Sequence, residues 1–297
     1  MLKNRFHCFG ASCQITLLSP EDNAEELFSL AKDEMLRLEA KFSSHLSTSL
    51  VSSINSTAGT THVTELDPEA RSLFAFVNAV WTKSKHVFDP TTCLLANCYS
   101  TDGRLQATPA QLSGMLNLVG WDKLEITAEG ARLQREGMLI ELDDCVRPYA
   151  LDCLRKMLLA RGIQHACLEL DSEAVTIGRQ PDGSNWLLGV RHPHRGQTAI
   201  SRVKLNNRGF ASCGEFERRI RHEGEDYGWG LSPVDGYPIP GLLSVSVLAD
   251  SCLSAFGAAA VARSRTEQAA VKWLDNLGLP WMGVDRQLKT IGPLAPR

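Results

Sequence analysis

The chain reads as an α+β protein with largely antiparallel sheets and flanking helices. Three observations predict this. Helical and strand-like periodicities are interspersed without regular βαβ units. From His165 to about residue 205, four short strand-like stretches follow one another, separated by turn residues. Over residues 242–262 a strand runs straight into a buried helix. There Leu243, Val245 and Val247 alternate with Ser244 and Ser246, and then Leu253, Phe256, Gly257, Ala260 and Val261 recur at helical spacing.

The elements follow in order. Residues 5–18 read as a first strand. Ser19-Pro20-Glu21-Asp22 is a helix start, with a capping Ser, Pro in the first turn and an acid at the third position. Leu27, Leu30, Ala31, Met35 and Leu38 carry that helix to about Ala40. Residues 42–57 are Ser-rich but keep Leu46, Leu50, Val51 and Ile54, which predicts an ordered loop with a short helix. Asp67-Pro68 opens a second helix, and Thr108-Pro109 a third that runs to about Leu116. A hairpin is expected around Glu129-Gly130, a strand over 138–142, and a fourth helix over 148–160 stopped by Gly162. Strands near 165–170, 174–178, 186–191 and 198–205 lead to a turn at Asn206-Asn207-Arg208-Gly209. Residues 213–241, rich in Gly and Pro, read as loop. After the strand and helix of 242–262 come a last helix over 265–276, stopped by Gly278, and two short strands.

No repeat or low-complexity linker divides the 297 residues. They are read as one domain, core about 5–290, made of two intimate subdomains. A net charge of −3 and the lack of a long Lys/Arg run exclude a nucleic-acid surface or an anionic-membrane surface. Nothing approaches the ~18 continuous apolar residues of a membrane helix. The start of the chain lacks the apolar stretch of a signal peptide and the context of a lipoprotein cysteine. The nine cysteines are scattered without a CxxC pair, which suits reduced thiols. A cytoplasmic location is therefore expected.

Common nucleotide and hydrolase signatures are missing: no GxGxxG after a strand, no GxxxxGK[ST], no GxSxG elbow. Asp250, at the strand–helix junction, has Ser254 one turn further on. The pair is either a capping Asp with a Ser bonded to its own helix, or two hard oxygen ligands for a magnesium-type ion.

A series of short motifs carries more. In order these are FGASC, FSSHLSTSLVSSIN, FDPTT, LNLVGWDKLEI, IELDDCVRPYALD, WLLGVRHP, FASCGEFERR, LSPVDGYP and ADSCLSAF. From near residue 9 to near 285 this resembles the ApbE family, the FAD:protein FMN transferases. The resemblance implies a T-fold-like α+β architecture with a flavin cleft between two subdomains. It also implies a magnesium ion on the FAD diphosphate, and transfer of FMN to a Ser or Thr of an acceptor protein with release of AMP. Ser49, Asn55, Asp89, Thr91, Tyr149 and Ser212 match positions expected to bind the cofactor. Asp250, Ser254 and the Val146 carbonyl match the metal positions. Arg147, at the family's Lys, is expected to stabilise developing charge, and Asp235 is a candidate acid–base group beside His222.

The chain departs from the family where the ligand is expected. Asp143-Asp144 stand at a Gly-Gly, Pro148 at a Gly, and Asp171-Ser172-Glu173 at a Gly-Gly-Asp. Trp229, Ser232 and Asp235 stand at a His, an Asp and a Thr. Glycines admit close approach of a ligand, and acids repel a diphosphate. Two other functions are therefore weighed. One is a flavin-binding or protein-interaction module that has lost catalysis. The other is an FAD pyrophosphatase with water as the acceptor.

Overall fold

The computed structural model describes residues 1–18, 21–193, 195–214, 219–228 and 230–296. The Ser19-Pro20 part of the expected helix start, residues 215–218 of the FASCGEFERR motif and Trp229 lie outside the described residues. The chain begins with β1 (Leu2–Cys8), β2 (Ala11–Leu17), α1 (Glu21–Phe42), α2 (Leu50–Ser56) and α3 (Pro68–Lys83). A 3-10 helix, Pro90–Cys98, leads to α4 (Pro109–Leu116), and a second, Trp121–Lys123, to β3 (Leu124–Ile126) and β4 (Ala131–Leu133). Then come α5 (Asp143–Ala160), β5 (Ala166–Leu170), β6 (Glu173–Ile177), β7 (Trp186–His192), β8 (Arg195–Leu205) and β9 (Gly209–Gly214). The last elements are β10 (Arg219–His222), β11 (Glu225–Gly228), β12 (Ser244–Ala249), α6 (Cys252–Arg263), α7 (Glu267–Leu277), β13 (Trp281–Val284) and β14 (Thr290–Ile291).

One sheet organises the molecule, in the order β1-β2-β5-β6-β9-β12-β13-β14. Every neighbouring pair is antiparallel, as the α+β reading expects. Alternation along each strand sorts the side chains. In β12, Val245, Val247 and Ala249 join the large cluster built with α1, α3, α5 and α6, while Leu248 points to the other face. There the β7–β8 ribbon covers the sheet with Trp186, Val190, Val203 and Leu205 against Phe210 and Met282. A third, smaller cluster ties the Pro90–Cys98 helix to α4 and β10 through Leu95, Tyr99, Leu112, Ile220 and Leu231. Gly209 is needed where β9 passes under α6, because a Cβ there would lie 2.2 Å from the Cys252 nitrogen.

Four elements differ from the sequence reading. The first strand is a hairpin: Phe9 and Gly10 adopt φ of 51° and 68°, the left-handed pair of a two-residue turn. Residues 138–142 form no strand. Their backbone is held instead by the Asn55 amide, which donates to the Ile140 carbonyl at 3.0 Å and accepts from its nitrogen at 2.9 Å. The fourth helix starts at Asp143, so Pro148 lies inside it. Lacking an N–H, Pro148 leaves the Asp144 carbonyl without its helical partner. The stretch read as loop, 213–241, holds the end of β9 and the β10–β11 hairpin.

Candidate functional site

Between the helix–sheet body and the small third cluster lies a cleft of about 650 Å³. The first turns of α5 bring Asp144, Cys145 and Arg147 to it, the β5–β6 turn brings Asp171, Ser172 and Glu173, and the end of β9 brings Ser212 and Cys213. Beside Cys213, whose thiol contacts the Phe256 carbonyl, Phe88 meets Phe256 of α6 edge to face, with ring centroids 6.1 Å apart, and Ala260 lies one turn beyond Phe256. The α6 side is apolar at Phe256 and Ala260 and polar at its end, where Arg263 and Ser264 also line the cleft.

Arg147 organises the charged wall. Its Nη2 lies 2.6 Å from Asp144 Oδ1, and its Nε lies 3.7 Å from Glu173 Oε2. That second distance is too long for a hydrogen bond. Both the Arg147 Nε and the Glu173 Oε2 are buried without a hydrogen-bond partner. Burial pushes the Glu173 carboxyl up to about 8 against the pull of Arg147, with Asp171 and Asp144 adding to the rise. Burial by itself would lower the Arg147 guanidinium, but Glu173, Asp144 and Asp171 hold it above its ordinary value, so it stays a cation. Asp171 pairs with Arg191 at 3.2 Å. It also adopts a φ of 50°, the left-handed backbone that a Gly takes without strain. Burial raises the Cys145 and Cys213 thiols well above their ordinary range, which keeps them protonated and poor nucleophiles.

The residues singled out from the sequence fall into three groups. Arg147, Ser212 and Asp89 line the cleft. Ser212 pairs its hydroxyl with Ser246 at 2.9 Å. Asp89 is fully engaged: its carboxylate accepts from Thr91 N and Oγ1, from Trp121 N and from Trp81 Nε1. Thr91 is buried, and its hydroxyl in turn accepts from Gly120 N. The FDPT motif is therefore a polar knot that holds the cleft wall. A second group serves its own surroundings. Ser49 caps α2 through Ser52 N, Asn55 holds Ile140, and Tyr149 donates to Glu69 in the ion-pair network of α1 and α3. Asp235 is exposed and closes a turn by accepting from Tyr237 N. His222 packs against Tyr237, with ring centroids 4.7 Å apart. Neither Asp235 nor His222 reaches the cleft wall.

The third group is the expected metal set, and the structure does not bring it together. Asp250 is exposed, and its carbonyl accepts from Arg155. Ser251, not Asp250, is the residue that caps α6, and its hydroxyl bonds both the nitrogen and the hydroxyl of Ser254. The next two nitrogens, of Cys252 and Leu253, donate to Asp152 of α5 at 2.9 Å each. Asp152 lies six residues beyond Val146, about 9 Å along the helix. Val146 itself is fully buried. Ser254 and Phe256 differ by two residues, about 200° around α6, so Phe256 faces the cleft and Ser254 faces away. Asp250, Ser254 and Val146 therefore do not fit together as the site of the magnesium ion that the resemblance implies.

Two features of the site were missed in the sequence. Glu173 was read only as part of a bulky replacement of glycines, because its burial depends on β6 passing behind Arg147. The cleft pair Phe256 and Ala260 was visible as helical periodicity, but the periodicity does not say which turn meets the cleft.

The family model described as the ApbE family matches residues 9–281. An FAD:protein FMN transferase of Haemophilus influenzae is 29% identical over 159 residues, 51% of this chain and 46% of that protein. One of Klebsiella pneumoniae is 26% identical over 132 residues, 44% of this chain and 40% of its own. The matches thus span about half the length of these curated relatives or less. Among solved structures, the ApbE protein of Thermotoga maritima superposes with a TM-score of 0.85 at 24% identity, covering 98% of this chain and 96% of its own. The flavin transferase ApbE of Vibrio cholerae gives 0.84 at 16% identity, covering 99% and 97%. With a family match across most of its length and the same fold, this chain belongs to the ApbE family.

Proposed function

We propose that this chain is an FAD:protein FMN transferase that binds FAD in the cleft. The family match and the activity named for its relatives support the reading. The observation that carries it is Arg147, a half-buried cation on the cleft wall at the family's basic position. In the reaction, the acceptor's Ser or Thr oxygen forms a bond to the flavin-side phosphorus. The bond from that phosphorus to the bridging oxygen breaks, and AMP leaves. The hydroxyl proton passes to a carboxylate. We assign that role to Glu173 instead of Asp235, because Glu173 is on the cleft wall and titrates near neutral pH. Arg147 offsets the charge that builds on the phosphoryl oxygens. No step runs through magnesium, since the residues at its expected site do not fit it.

The acceptor is a protein of the same compartment. A cytoplasmic one agrees with nine cysteines that are all free thiols, and among the described residues no helix is long and apolar enough to cross a membrane. The test is AMP release from FAD by the pure protein, with and without a Ser- or Thr-bearing acceptor, across pH 5 to 9. Release that needs the acceptor and rises with pH to about 8 is the expected result. Release without an acceptor is hydrolysis. No release favours a second reading, a flavin-binding module without transfer, which the apolar Phe256 and Ala260 support.

A further inference from the structure

Family resemblance places a divalent cation between the protein and the diphosphate of its ligand, yet the residues that α6 and its C-cap bring to the cleft include no carboxylate. α6 lines it with Phe256, Ala260 and Arg263 and with its C-cap Ser264, whose hydroxyl donates to the Ala260 carbonyl at 2.9 Å; Phe256 and Ala260 are four residues apart on one face, and neither carries an oxygen in its side chain. Of the acids elsewhere on the lining, Asp89, Asp144 and Asp171 have partners, Glu173 lies 3.7 Å from Arg147 Nε without a hydrogen bond, and Glu141 belongs to a possible ligand group with His45. Asp144 and Glu173 flank Arg147, Asp171 pairs with Arg191, and Asp89 accepts from four donors. Among the described residues, one group of three gathers possible ligand atoms within 4.8 Å of one another: His45, Glu141 and Asp143. His45 and Glu141 of this group line the cleft too, but the group sits at the start of α5, whose positive end disfavours a cation, and Asp143 already accepts from Ser44 at 3.0 Å.

We infer that this cleft holds the phosphate groups of its ligand on Arg147, without a divalent cation. The guanidinium stays charged and presents a planar fork that suits two phosphate oxygens. Its Nε is buried beside Glu173 Oε2, and the exposed fifth of the side chain, on the cleft wall, is where a ligand oxygen can meet the guanidinium. The apolar wall of Phe88 and Phe256 then offers an edge-to-face aromatic surface, not a metal, to the rest of the ligand. This inference rests on the reading of the cleft as an FAD site.

The experiment is a fluorescence titration of FAD and of riboflavin, which lacks phosphate, into the full chain, once in EDTA and once in excess magnesium. Wild type should bind FAD equally in both buffers, within about twofold. Arg147→Ala should weaken FAD about 10- to 100-fold and leave riboflavin within about twofold. Arg147→Lys, which keeps the charge and guards against a folding defect, should fall between them. Phe256→Asp combined with Ala260→Thr should make FAD binding depend on magnesium. Manganese, read by its spin-resonance signal, should remain free beside wild type and bind the double variant. FAD binding by wild type that needs magnesium, bound manganese in wild type, or equal loss of FAD and riboflavin in Arg147→Ala overturns the inference alone. Failure of FAD to bind in either buffer overturns the reading of the cleft, and the inference with it.

Discussion

The start and the middle of α6 make the instructive comparison. At its start, Asp250, Ser251, Ser254 and the Asp152 carboxylate crowd polar groups around the first turn, and all but the Asp250 carboxylate are engaged in capping or in one another. Further along, Phe256 and Ala260 meet the cleft with no polar side-chain atom between them. The oxygen-rich start serves the helix, and the apolar middle lines the cleft. Orphan N–H groups at a helix start recruit oxygens from any sequence, whatever the function.

Four measurements would break or sharpen this contrast. The largest effect is expected in the apolar middle. Phe256→Ala, which removes a 4%-exposed ring packed against Phe88, should cost about 3–5 kcal/mol, read as a lower midpoint of unfolding. A change near zero would mean that the ring does not support the wall. Next comes Asp152→Ala, which leaves the nitrogens of Cys252 and Leu253 uncapped and should cost about 1–3 kcal/mol.

The third effect is confined to a pH window. The carboxyl of Glu173 sits near 4.5 in the unfolded chain and at about 8 in the folded one, so between those values the folded state holds the extra proton. Its stabilisation is complete below about 4.5 and is lost as pH rises through about 8. Glu173→Gln should therefore flatten the fall in melting temperature between pH 5 and 8, and an unchanged slope would remove Glu173 as the cause. The smallest effect belongs to Asp250. Asp250→Ala should change stability by no more than about 0.5 kcal/mol and leave FAD affinity alone. A large loss of affinity would return the metal hypothesis to the start of α6.

Local signals in the sequence carried most of the fold. Asp67-Pro68 and Thr108-Pro109 start helices because cap and Pro act within one turn, and Gly278 stops α7 at a φ of 65° for the same reason. Pro148 misled because a Pro inside a helix resembles one at its first turn. The site was harder to read. Arg147 and Ser212 reach the cleft, but Ser49, Asn55 and Tyr149 are matched polar residues whose partners lie 3, 85 and 80 positions away. Order along the chain identifies a motif. Whether its side chains face the ligand or a neighbouring backbone depends on how distant elements pack.

The sheet order carries a consequence for how the protein is made. The β1–β2 hairpin can close as soon as it leaves the ribosome, but its next neighbour is β5, where Leu17 pairs with Ala166. About 150 residues must be added first, roughly 8–30 s at 5–20 residues per second. For that interval β2, whose Cys13, Ile15 and Leu17 are fully buried in the finished sheet, keeps an open edge. Nascent chains halted before residue 166 should therefore bind chaperones or self-associate more than chains halted after residue 177, once β5 and β6 have closed that edge.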